Sequence, residues 1–140
     1  MVETTKCLVY KPEKVSLGDK GVLIWERDLG ENLTCRTIPY DTIVLAYPEV
    51  YEEKTGETAV PEIQEITGDM KGSLIIWDRR RTMFRIELSD YEESVGNLFI
   101  RLSDQIPFAF LGATSWMQIQ DDQDFAEMLK MISLYKELNP

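Results

Sequence analysis

The side chains best suited to chemistry in this 140-residue chain are guanidinium groups. Arg79, Arg80 and Arg81 are consecutive, with Lys71 upstream. Each guanidinium offers a planar fork of donors that fits a phosphate or a carboxylate. The run reads either as an anion clamp or as a solvated hairpin tip paired with Asp78 and other acidic residues. A second concentration of charge has the opposite sign. Glu52, Glu53, Glu57, Glu62 and Glu65 lie in a stretch from Glu49 to Asp69 whose only cation is Lys54. Such a stretch suits a solvated insertion or a loop that steers a basic partner.

Other chemistry is missing. The chain has no histidine, which removes the commonest general base and the commonest metal ligand together. Cys7 and Cys35 are too few for a zinc set or a disulfide framework, and their apolar surroundings predict small buried thiols. No phosphate-cradling glycine loop or nucleophile elbow occurs. Asp121, Asp122 and Asp124 have the density of a calcium loop, but the twelfth position from Asp121 is Ile132, so a helix cap explains them better. Trp25, Trp77 and Trp116 sit in predicted strands, where a core role outweighs a ligand cage. The reading is non-catalytic, with no cofactor and no metal. A net charge of −10 argues against broad nucleic-acid binding and disfavours an anionic membrane surface without excluding it. With no apolar leader and no apolar run near the roughly 20 residues of a span, a cytoplasmic location is expected.

These residues need a scaffold, and its pattern is mostly β. Strands are predicted at Lys6–Tyr10, Val22–Arg27, Leu33–Ile38 and Thr42–Tyr47, then, after a charged connection over about 48–71, at Gly72–Asp78 and Thr82–Leu88. Alternation of Leu98, Ile100 and Leu102 predicts another strand over Asn97–Leu102, and Phe108–Leu111 and Ser115–Ile119 read as two short strands around Gly112. One helix closes the chain at 121–138. Phe125, Met128, Leu129, Ile132 and Tyr135 recur at three- and four-residue steps, with aspartates at its start and Asn139-Pro140 at its end.

Asp19-Lys-Gly-Val-Leu-Ile-Trp25, followed by Arg36-Thr-Ile-Pro-Tyr-Asp-Thr-Ile43, resembles the turn-and-strand rhythm of bacterial pleckstrin-homology-like and GRAM-type domains. Length and apolar content suit a single domain over 1–140 with an acidic insertion at about 48–71, and the resemblance implies a barrel of about seven antiparallel strands capped by the helix at 121–138. Lipid-binding members carry basic residues in the first hairpin, whereas Asp28-Leu-Gly-Glu-Asn32 is acidic, so phosphoinositide binding does not transfer to that loop. The expected function is a non-catalytic interaction module that takes a protein or peptide partner at an exposed sheet edge, the acidic segment, or both. The alternatives are a membrane adaptor holding an anionic headgroup through Arg79, Arg80 and Arg81, and an acidic chaperone-like or inhibitor protein.

Overall fold

Apolar alternation in the first half of the chain folds into a small antiparallel sheet. In the computed structural model, which describes residues 2–51, 58–59, 71–88 and 91–140, β2 (Lys14–Leu17), β3 (Gly21–Arg27) and β4 (Leu33–Pro39) pair in that order. Gly21 opposes Pro39 at the end of the β3–β4 ladder away from their connecting loop. A Cβ at Gly21 would collide with the Ile38 carbonyl oxygen, so the close approach of β3 and β4 requires glycine there.

The second sheet is larger and mixed. It comprises β1 (Lys6–Tyr10), β5 (Ile43–Tyr51), β6 (Thr58–Ala59), β7 (Lys71–Asp78) and β8 (Thr82–Leu88) in the order β1-β8-β7-β5-β6. A two-residue strand, β9 (Phe110–Leu111), runs parallel to β5, and β1 runs parallel to β8. β7 is central and buried on both faces, which fits the unbroken apolar run Leu74–Trp77 within it.

One apolar layer lies between the sheets. Val22, Ile24 and Ile38 from the small sheet meet Leu74, Ile76 and Ile86 from the large one. Beside them pack Val95 from the π-helical turn Tyr91–Gly96, Leu98 and Leu102 from α1 (Asn97–Gln105), and Ile106. The opposite face of the large sheet presents Leu45, Tyr47, Ile75 and Trp77 to Phe125, Met128 and Ile132 of α3 (Asp122–Leu138). Each of these large apolar side chains contributes about 1.5–3 kcal/mol on full burial. Asp121 caps α3, its side chain accepting from the Asp124 amide at 2.8 Å. Among the described residues no helix is long and apolar enough to cross a membrane.

Several expectations are corrected. Among the described residues the sheets do not close into a barrel, and three α-helices replace the single expected one. α3 lies where its periodicity puts it, but it covers the outer face of the large sheet instead of plugging a barrel mouth, and Tyr135 is 38% exposed. The segment read as a strand at Asn97–Leu102 is α1: Leu98 and Leu102 are buried one helical turn apart while Ile100 is 62% exposed. Ser115–Ile119 belongs largely to α2 (Gly112–Gln118), which leaves β9 as the only part of 105–120 in a strand. β5 continues through Pro48 to Tyr51, so the connection starts later than 48. Cys7 and Cys35 are both exposed; Cys35 lies on the face of the small sheet turned away from the layer that buries Val22, Ile24 and Ile38.

Candidate functional site

β4 is the outermost strand of the small sheet, and all its side chains except Ile38 are exposed. Its backbone direction follows from two bonds at the ends of its pairing with β3. The Asp28 amide donates to the Asn32 carbonyl at 3.0 Å, and the Tyr40 amide donates to the Lys20 carbonyl at 2.9 Å. In an antiparallel ladder, hydrogen-bonded pairs alternate along the strand. Thr34, Arg36 and Ile38 therefore turn their amides and carbonyls toward β3, while Leu33, Cys35 and Thr37 turn theirs outward. No strand of the described residues pairs with that outer side. The edge ends at Pro39, which has no amide hydrogen and whose carbonyl accepts from the Thr42 hydroxyl at 2.8 Å.

Two turns of the same construction flank this edge. At the β3–β4 tip, Asp28 Oδ1 accepts from the amides of Gly30 (2.9 Å) and Asn32 (3.0 Å), and the Glu31 amide donates to the Asp28 carbonyl (3.0 Å). At the β7–β8 tip, Asp78 Oδ1 accepts from the amides of Arg80 (2.8 Å) and Thr82 (2.9 Å), and the Arg81 amide donates to the Asp78 carbonyl (3.1 Å). The fourth residue of each turn is left-handed, with φ of 60° at Glu31 and 64° at Arg81. These are aspartate-anchored turns that put a non-glycine residue where glycine is favoured. Leu29, in the first tip, is fully exposed.

The second tip separates the arginines. Arg81 bonds Asp122 Oδ1 at 2.6 Å and lies 4.9 Å from the centre of the Phe125 ring. Arg79 donates to the Asp41 carbonyl at 3.0 Å. Arg79 and Arg80 border a hollow of about 410 Å³ that also touches Thr37, Pro39, Asp41 and Phe84, at the Pro39 end of the β4 edge. Lys71 stands at the other end of β7, so it and the three arginines do not converge on one anion. Glu52, Glu53, Glu57, Glu62 and Glu65 lie outside the described residues.

A broader cleft of about 1080 Å³ opens where β2, the start of β7 and α1 approach, and Lys14, Glu49, Arg85 and Arg101 border it. Arg85 and Glu49 form an ion pair across the sheet face above β7, both less than a quarter exposed. Burial pulls the Arg85 pKa down, but the hydrogen bond to Glu49 and its charge outweigh that and leave it raised. One step along β5, burial pushes the Tyr47 phenol up to about 12. The buried Trp77 indole N–H, which has no acceptor in hydrogen-bond geometry, offsets a little of that shift. Lys136 bonds the Asp41 carbonyl at 2.9 Å, and burial, with Arg79 nearby, lowers its pKa.

The sequence reading selected charged residues and passed over Leu33, Cys35 and Thr37. The alternation of β4 was visible, but nothing in composition distinguishes the last strand of a sheet from one with neighbours on both sides. Comparison of the chain with family models, with curated proteins and with solved structures returns no match.

Proposed function

We propose that the protein is a non-catalytic interaction module that recruits an extended protein segment by strand addition at β4. One observation carries the reading: Leu33, Cys35 and Thr37 present outward amides and carbonyls at two-residue spacing on a regular strand that no other strand of the described residues pairs with on that side. An incoming strand meets those groups in register, and backbone hydrogen bonds supply affinity while alternate side chains supply specificity. β4, at seven residues, is the longest edge among the described residues: β1 is five residues long, β2 is four and packs near α1, and β6 is two.

A displayed peptide library tests this. Peptides retained by the wild-type protein are expected to protect the Leu33, Cys35 and Thr37 amides from hydrogen exchange and to be lost by Thr37→Pro, which deletes one outward donor and leaves the β3 side of β4 intact. Selected peptides that bind Thr37→Pro equally well, or that leave those amides unprotected, overturn the proposal.

A further inference from the structure

Resting on the strand-addition reading, we infer that the occupant of the β4 edge is a second copy of this chain, its β4 laid antiparallel to the first about a two-fold axis through Cys35. An isologous contact needs a surface complementary to itself, and the outward set has that property. Centred on Cys35, the pairing sets Cys35 opposite Cys35 and Leu33 opposite Thr37 in both directions. That makes three pairs with two backbone bonds each, and none of the residues is a proline. A shift of two residues either way loses a pair.

The side chains agree with this register. On the outer face, Trp25 neighbours Cys35 and Leu23 neighbours Thr37 within each copy. The axis thus passes through a Trp25, Cys35, Cys35, Trp25 row, and Leu33, 48% exposed, faces the Thr37 of its partner on a row that ends in that copy's Leu23. On the other face, Arg36 opposes Thr34, whose β3 neighbour is Glu26, so each guanidinium lies on a row that ends in the partner's carboxylate. No like charges are directly opposed. Continued two residues further, the same register sets Glu31 against Pro39. The acidic tip bearing Asp28, Glu31 and the fully exposed Leu29 then comes alongside the hollow that Arg79 and Arg80 border on the other copy. A standard stable interface buries about 800 Å² per partner. One strand edge and one tip lie at the small end of that scale, so the dimer forms in a concentration-dependent way.

Sedimentation of the full chain from micromolar to millimolar concentration, together with a short thiol-to-thiol crosslinker, tests the dimer. In Cys7→Ser, the crosslinker is expected to link two copies through Cys35, because Cα atoms of a hydrogen-bonded antiparallel pair lie about 5.5 Å apart, and their Cβ atoms, at the wide end of about 4.5–5.5 Å, suit a short bridge better than a direct disulfide. Thr37→Pro removes two of the six bonds and is expected to weaken association about tenfold. Arg36→Glu, on an exposed side chain, is expected to weaken it while leaving the β3 pairing untouched. A chain that stays monomeric throughout, or one that crosslinks through Cys7 in Cys35→Ser as fast as through Cys35, overturns the dimer. If selected peptides still protect the β4 amides while the chain remains monomeric, the occupant is wrong and the edge reading stands. If Thr37→Pro changes neither peptide binding nor sedimentation, both fall.

Discussion

Arg81 and Asp122 fasten the β7–β8 turn to the first turn of α3, with Arg81 Nη1 2.6 Å from Asp122 Oδ1 and the guanidinium stacked over Phe125. Arg81 holds these contacts from a left-handed backbone, φ 64°. Two opposing effects therefore meet at one residue. Arg81→Ala is expected to lower stability by about 1 kcal/mol, since an exposed ion pair and a cation–π contact are lost and the backbone strain stays. Arg81→Gly loses the same contacts but relieves about 1–2 kcal/mol of left-handed strain, so its urea midpoint is expected near wild type. At Glu31, in the matching turn, relief exceeds the entropy that glycine adds to the unfolded chain, and Glu31→Gly is expected to gain about 0.5–1 kcal/mol. A Glu31→Gly midpoint below wild type would contradict this account of both turns.

Gly21→Ala is expected to cost about 1–3 kcal/mol, because the obstructing atom is the Ile38 carbonyl oxygen and a backbone atom cannot rotate away. Faster hydrogen exchange at the Arg36 and Ile38 amides would locate the damage in the β3–β4 ladder. Gly18→Ala, whose nearest neighbour is the Leu23 side chain at 3.1 Å, is the milder control. Equal losses for the two variants would rule out the close-approach explanation.

Ile132 is 4% exposed under α3 and Leu134 is 56% exposed two residues later. Ile132→Asp is expected to abolish cooperative unfolding by placing an unpaired carboxylate against Trp77 and Phe125. Leu134→Asp is expected to melt within about 0.5 kcal/mol of wild type. Circular dichroism melts of the pair check the assigned face of the helix, and normal melting of Ile132→Asp would show that face to be misassigned.

Tyr47 predicts an alkaline transition. Its folded pKa is raised to about 12 from an unfolded value of 10.0. The stability it contributes is thus complete below pH 10 and is lost as pH rises toward 12, where the unfolded chain gains by ionising. The loss amounts to roughly 2–3 kcal/mol. Tyr47→Phe is expected to flatten the fall in melting temperature between those limits. An unchanged slope would assign the alkaline transition to other groups.

Much of the secondary structure could be read from local pattern. β1, β8 and the capped start of α3 agree with it closely, because alternation, turn residues and an N-terminal aspartate act over a few residues. α1 was missed because Leu98, Ile100 and Leu102 satisfy period two. The spacing of Val95, Leu98, Leu102 and Ile106, all buried, is the helical signal that competes with it. The barrel expectation failed on a non-local fact: the parallel pairing of β1 with β8 has no trace in the alternation of either strand. The β4 edge was illegible for the same reason, since openness is a property of the sheet and not of residues 33–39.

The parallel pairing of Lys6 with Thr82 also sets an order of events during synthesis. The ribosome delivers the first strand long before the only described strand that can receive it. At roughly 5–20 residues per second the interval is on the order of several seconds. Throughout that time Leu8 and Tyr10, later part of the layer between the sheets, have no finished surface to join. The β2–β3–β4 meander, whose partners are adjacent in sequence, can form first and serve as the platform on which the rest is laid.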